Sequence, residues 1–294
     1  MQIAEMRLLF ATDFGASCEA AAEFIEQWMR DVSCTLTIVH VSDPELTRSS
    51  EAARRLRNFF VAADRQPLTH RVLLSGSDPA KALIDYLACH PHDLVVCPPS
   101  AHTPASKLQR HPSLRARLLV DTDTALLTMK VPEARRQARA ERVGCILSRR
   151  DSIRPFEMAS AYAQRVGATA QLLYVVEDMH DVHNRAGLTV SDFQRLASAL
   201  PVPTEVHAVV GNEARYILSM VEHARPDILF VEKRDSVRRT PWAYEMLRYV
   251  DEAGCPVVCV DHDRTLPCWQ LRQSGVMVGQ PSSTFTSPPA LLRN

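Results

Sequence analysis

The feature that most constrains this chain is an internal repeat at an offset of about 135 residues. HRVLLSGSDPAKALIDYLACHPHDLVVCP at 70–98 matches TEVHAVVGNEARYILSMVEHARPDILFVE at 204–232. Gly76 and Gly211 are 135 apart, and Asp93 and Asp227, each opening an apolar run, are 134 apart. Arg7, opening RLLFATDFGAS, and Arg142, opening RVGCILSRRDS, are again 135 apart. One offset held at three landmarks means two copies of one unit. The period is the length of a domain, not of a solenoid repeat.

Within each copy, short apolar runs alternate with helical patterns, as in parallel strands joined by crossover helices. The first copy predicts strands near 7–12, 34–41, 70–75, 93–97 and 125–130, with helices near 17–31, 44–60, 79–90 and 113–122. The second predicts strands near 142–147, 169–176, 205–210, 227–231 and 256–260, with helices near 153–166, 192–200, 212–224 and 241–253. Asp43-Pro44 and Asp78-Pro79 each set a capping carboxylate before a proline whose missing N–H costs nothing in a first turn. Ser191 with Gln194 fits a capping box, and Thr240-Pro241 a cap and first turn. The expected class is α/β, as two doubly wound, five-stranded parallel-sheet domains at 1–131 and 142–262. PEARRQARAE (132–141), polar and Arg-rich, reads as an exposed connector, and 263–294, rich in Ser, Thr, Pro and Gln without periodicity, reads as a disordered tail.

Composition narrows the function. Lys plus Arg and Asp plus Glu are both 34, so the formal net charge is zero. Such a chain is not built for general nucleic-acid or anionic-membrane binding, and no run reaches the ~18 apolar residues of a membrane span. The N-terminus has an acid and an apolar run that stops at Asp13, a poor signal peptide. Eight cysteines occur without a CxxC pair, and those in apolar runs read as small core residues. The expected setting is the reduced cytoplasm. Only nine glycines are present, about half the usual ~7%, so loops that cradle phosphates are scarce.

LLFATDFGAS (8–17), LTIVHVSD (36–43), GSDPAKALIDYLACHPHDLVV (76–96) and the closing strands TALLTMKVP (124–132) and CPVVCVD (255–261) carry a family resemblance. With the doubling, the chain resembles a tandem universal stress protein over essentially 1–262. The resemblance implies a Rossmann-like fold of the adenine-nucleotide alpha-hydrolase type, paired through last strands, and a part in surviving stress. One branch of that family binds ATP and another does not. In the binding branch an Asp ending the first strand contacts the nucleoside and a Val ending the second lines the adenine pocket; Asp13 and Val41 match those positions.

The same branch holds phosphates on a glycine loop after the fourth strand, G-x2-G-x9-G-[ST]. Bare backbone N–H groups must approach the phosphates, and a Cβ would block them. Here that loop reads CPPSAHTPASKLQRHPS (97–113), with Pro98, Ala101, His111 and Pro112 at the motif positions. The second copy reads VEKRDSVRRTPW (231–242), without glycine, and Ser148 stands where the first has Asp13. By motif, neither copy binds ATP in the family manner.

A replacement anion site is legible in the second copy. Ligands of open parallel sheets bind at the carboxyl ends of strands where the order reverses. Arg149 and Arg150 follow the first strand there, and Lys233, Arg234, Arg238 and Arg239 the fourth. Arginine forks take phosphates or carboxylates without glycine N–H groups. The plainer reading is solvated arginines paired with Asp151, Glu232 and Asp235. The first copy's Ser100, His102, Thr103, Ser106, Lys107 and Arg110 read as a softer anion site or as a loop that lost its ligand.

Other chemistry is thinner. EDMHDVH (177–183) offers His180 and His183 with acids to a divalent metal, but reads more simply as a solvated acidic loop, so no metal is expected. His90 and His92 near Cys97 match no zinc spacing. No nucleophile elbow or His/Asp pair is identifiable, so no catalytic residue is assigned and no enzymatic activity is expected beyond slow ATP hydrolysis. Cys18, opening a helix, is a redox-sensor candidate, or simply a half-buried helix residue.

The leading expectation is a cytoplasmic stress-response protein that works as a non-enzymatic binding module for an unidentified protein partner, without cofactor. The two copies are expected to pack as a pseudo-dimer through ALLTMKV and PVVCVD, apolar edges that otherwise invite association; a homodimer beyond that stays open. The rival is a switch regulated by ATP, another adenylate or an anionic metabolite, and a third is a redox or metal sensor.

Overall fold

A computed structural model describes residues 6–31, 34–44, 50–60, 69–99, 113–129, 140–148, 153–176, 195, 198, 201–210, 214–233 and 252–261. The first half runs β1 (Met6–Ala11), α1 (Ala16–Asp31), β2 (Cys34–Ser42), α2 (Ser50–Asn58), β3 (Thr69–Ser75), α3 (Pro79–Cys89), β4 (Leu94–Val96), α4 (Leu114–Asp121) and β5 (Ala125–Thr128). The second runs β6 (Arg142–Ser148), α5 (Arg154–Val166), β7 (Thr169–Val176), β8 (Thr204–Val210), α6 (Ala214–Ala224), β9 (Ile228–Lys233) and β10 (Val257–Asp261).

The ten described strands join one sheet, ordered β3-β2-β1-β4-β5-β10-β9-β6-β7-β8. Every pairing is parallel except β5 with β10, which is antiparallel with Thr128, Leu127 and Leu126 opposite Val257, Val258 and Cys259. The order therefore reverses between β1 and β4, and again between β6 and β9, where parallel sheets open crevices at the carboxyl ends of their strands.

Strands covered on both faces read as unbroken apolar runs, and β4 (LVV), β5 (ALLT) and β9 are buried throughout. One face carries Leu8, Phe10, Leu36, Ile38, Leu127, Phe230 and Val258 beneath α1, α2 and α5. The other carries Leu9, Val39, Val95, Leu126, Leu229 and Cys259 beneath α3, α4 and α6. Each core runs across the β5–β10 junction, and Trp28 of α1 meets Tyr162 of α5 edge-on at 6.2 Å. Each large side chain so buried contributes about 1.5–3 kcal/mol.

Helix starts follow local chemistry. Asp78 accepts the N–H groups of Ala80 and Lys81 at 3.0 Å, with Pro79 in the first turn. Ser113 accepts from Ala116 N at 3.2 Å and begins α4. Gly167 closes α5 in the left-handed region, at φ 69°, where a Cβ is costly.

Strand ends differ from the sequence expectation in places. β9 continues to Lys233 and β10 to Asp261 because Val260 and Asp261 extend the ladder opposite Glu232 and Lys233. β5 stops at Thr128. Most of the helices expected at 192–200 and 241–253, residues 132–139 of the connector and the tail at 263–294 lie outside the described residues, as do Ser191, Gln194, Thr240 and Pro241. No described helix is long and apolar enough to cross a membrane.

Candidate functional site

The first crevice is built on the turn after β1. Thr12 N donates to Val39 O at 2.9 Å, carrying the β1–β2 ladder one step past Ala11. Asp13 follows, exposed, and its Oδ1 accepts the Gly15 N–H at 2.8 Å and the Cys18 thiol at 3.2 Å. The register of Ala11 opposite Val39 brings Asp13 and Val41 to the same end of neighbouring strands. Both predicted residues thus lie where β1 and β2 reach their carboxyl ends. The loop after β4 departs through Cys97, Pro98 and Pro99, and neither proline has an N–H to offer an anion.

Phe14 takes a left-handed backbone, φ 61°, a conformation that costs a non-glycine residue about 1–3 kcal/mol. Its ring lies 4.2 Å from His40 and 5.7 Å from Phe59, and the Arg55 guanidinium stands over it at 4.7 Å. His40 Nδ1 meets Thr12 O at 2.8 Å. A carbonyl only accepts, so Nδ1 carries the hydrogen, and burial holds the ring below the ordinary imidazole range. Sequence reasoning missed this stack. Its one local signal is Arg55 and Phe59 at helical spacing, which does not say that Phe14 will fold over them.

Phe14 also lines a groove of about 620 Å³ with residues of α1 and α2. Phe59 and Phe60 line it with Ala22, while Glu19, Glu23 and Glu26 border it on α1 and Arg54, Arg55 and Asn58 on α2. Sequence reasoning did not find this groove either.

Cys18 takes the plainer of its two readings, a helix residue packed in the core. A helix start lowers a thiol pKa only where the thiolate stays solvated. Cys18 is buried, and burial, with the Asp13 charge adding to it, raises the thiol to about 11. It is a proton donor to a carboxylate, not a thiolate. Cys97 and Cys259, buried, are pushed up to about 12.

Lys233 also differs from expectation. It is buried at the end of β9, and its ammonium donates to the carbonyls of Thr122 and Thr124, just before β5. It reaches across the β5–β10 junction instead of out into a crevice. Arg149, Arg150, Arg234, Arg238 and Arg239 lie outside the described residues, as do Ser100, His102, Thr103, Ser106, Lys107, Arg110, His180 and His183. His92 is buried, bridging His90 O at 2.7 Å and Thr37 Oγ1 at 3.1 Å. No group of three metal-binding side chains occurs among the described residues.

No family model and no curated protein matches the chain. Solved structures do. A universal stress protein from Archaeoglobus fulgidus superposes with a TM-score of 0.63 at 15% identity, covering 87% of this chain and 96% of its own. A Pseudomonas aeruginosa protein proposed to be a universal stress protein gives 0.64 at 12% identity, covering 88% and 94%. The cytoplasmic domain of a prokaryotic cation chloride cotransporter gives 0.54 at 11% identity, covering 90% and 99%. At such identities the likeness is one of architecture, so fold alone carries over. The chain has the α/β fold of the universal stress proteins.

Proposed function

We propose that this chain is a cytoplasmic, tandem universal-stress-type protein that acts as a non-enzymatic binding and interaction module, without the family's nucleotide function. The observation that carries this reading is the loop after β4 beside Asp13, where a phosphate would need backbone N–H donors and the chain supplies Pro98 and Pro99. Pro98 and Pro99, entering the neighbouring loop, add no donors there.

The two halves act as a pseudo-dimer within one chain. Supporting this are the antiparallel β5–β10 pairing centred on Leu127 opposite Val258, both fully buried, and the Trp28–Tyr162 contact. Pairing two apolar edge strands within one chain makes the association independent of concentration.

The test is to purify the whole chain gently, denature it, and identify the released small molecules by mass spectrometry. The expected result is no adenylate. A stoichiometric adenylate would overturn the reading and turn attention to the arginines after β6 and β9.

A further inference from the structure

We propose that the groove between α1 and α2 is a binding site for a short zwitterionic peptide with an apolar body. This goes beyond the reading above, because it concerns the helical face of the first half and stands whether or not the crevice holds a nucleotide.

The groove has two walls of opposite charge and an aromatic floor. Glu19, Glu23 and Glu26 recur at i, i+4 and i+7, one stripe of α1, and Arg54 and Arg55 face them from α2. Among the described residues, no ion pair joins the two helices. Glu26 pairs with Arg30 on α1, at 3.0 Å, and Arg54 with Glu51 on α2, at 2.6 Å. The space these residues line measures about 620 Å³. That volume lies within the ~300–1,000 Å³ of small-molecule sites.

Removing the charges already paired leaves Glu19 and Glu23 on one wall. Across from them is Arg55, whose guanidinium stands over the Phe14 ring and, among the described residues, makes no ion pair. A ligand that satisfies both sides carries an ammonium at one end and a carboxylate at the other. The ammonium meets Glu19 and Glu23, the carboxylate meets the Arg55 fork, and apolar side chains lie on Phe59 and Phe60. A dication would meet Arg55 as a repulsive charge, and a dianion would meet the glutamates.

The experiment titrates the whole chain calorimetrically with leucyl-phenylalanine in four forms: free, N-acetylated, C-amidated and blocked at both ends. The free dipeptide is expected to bind one per chain, and blocking either end to weaken it about tenfold, as expected for losing one charge-assisted contact. The double variant Glu19→Gln/Glu23→Gln should erase the difference between the free and N-acetylated forms. Arg55→Gln should erase the difference between the free and amidated forms. All three positions are exposed, and thermal melts of the variants check that the fold is kept. Failure of the free dipeptide to bind at millimolar concentration, equal binding of the amidated cation or the acetylated anion, or discrimination that survives in the variants each overturns the proposal.

Discussion

Asp93 Oδ2 accepts the backbone N–H of Arg7 at 2.8 Å, and Asp227 Oδ2 accepts that of Arg142 at 2.9 Å. In both places the aspartate returns its own N–H to the arginine carbonyl at 2.8 Å. Each carboxylate is buried where the central strand of its half begins. Replacing either by Ala leaves a part-buried backbone N–H without its acceptor, which costs about 1 kcal/mol. Asp93→Ala and Asp227→Ala should therefore lower stability in chemical denaturation by similar amounts. A neutral effect at one site alone would mean the two halves do not share this anchor.

Lys233 ties the end of β9 to the segment that leads into β5. Lys233→Met keeps the volume of the stem but strips two carbonyls of a donor, so it should lower the melting temperature by several degrees, on the order of 1–3 kcal/mol. Unchanged melting together with lost affinity for phosphate or another anion would instead make Lys233 an anion ligand.

Thiol reactivity separates burial from helix position. Cys89 is exposed, while Cys18, Cys97 and Cys259 are buried. Alkylation followed by peptide mass mapping at neutral pH should modify Cys89 in the native protein and leave those three untouched until denaturant is added. Fast native labelling of Cys18 would contradict its role as a donor to Asp13 and restore the redox-sensor reading.

Asp78 links stability to pH. The Lys81 N–H and the Arg117 guanidinium, which reaches both carboxylate oxygens at 2.6 and 2.8 Å, hold its pKa below the ordinary value. A depressed folded pKa means the stabilisation is complete above the unfolded carboxylate's pKa near 3.9 and fades as pH falls through the lower folded value. Asp78→Ala should cost about 1 kcal/mol at neutral pH, as caps do. That gap should narrow in melts taken below about pH 4. A gap that persists unchanged into acid would assign the effect to backbone propensity.

What the sequence revealed was local or periodic. The offset linking Arg7 to Arg142 and Asp93 to Asp227 is preserved because both halves use the same anchor, and Asp78-Pro79 marks a helix start through contacts within three residues. What it hid depends on distant partners. β9 reaches Lys233 only because β10 lies alongside it. Lys233 reads as a loop cation until Thr122 and Thr124, 109 or more residues away in sequence, come to it. Phe14 carries no mark of a left-handed residue, since its conformation is sustained by His40, Phe59 and Arg55 from two other elements. Cys18 is legible only as two readings: its position says helix start, and its burial decides for the protonated core thiol.

The first-half crevice is proposed to hold no nucleotide, because the loop beside Asp13 opens with Pro98 and Pro99 instead of N–H donors. Calorimetric titration of the whole chain with ATP and magnesium tests it directly. No heat of binding and no ligand-dependent rise in melting temperature are predicted, because a ligand that does not bind the native state cannot stabilise it. Saturable binding of one ATP per chain, abolished by Asp13→Ala, would contradict the account and make Asp13 a nucleotide ligand.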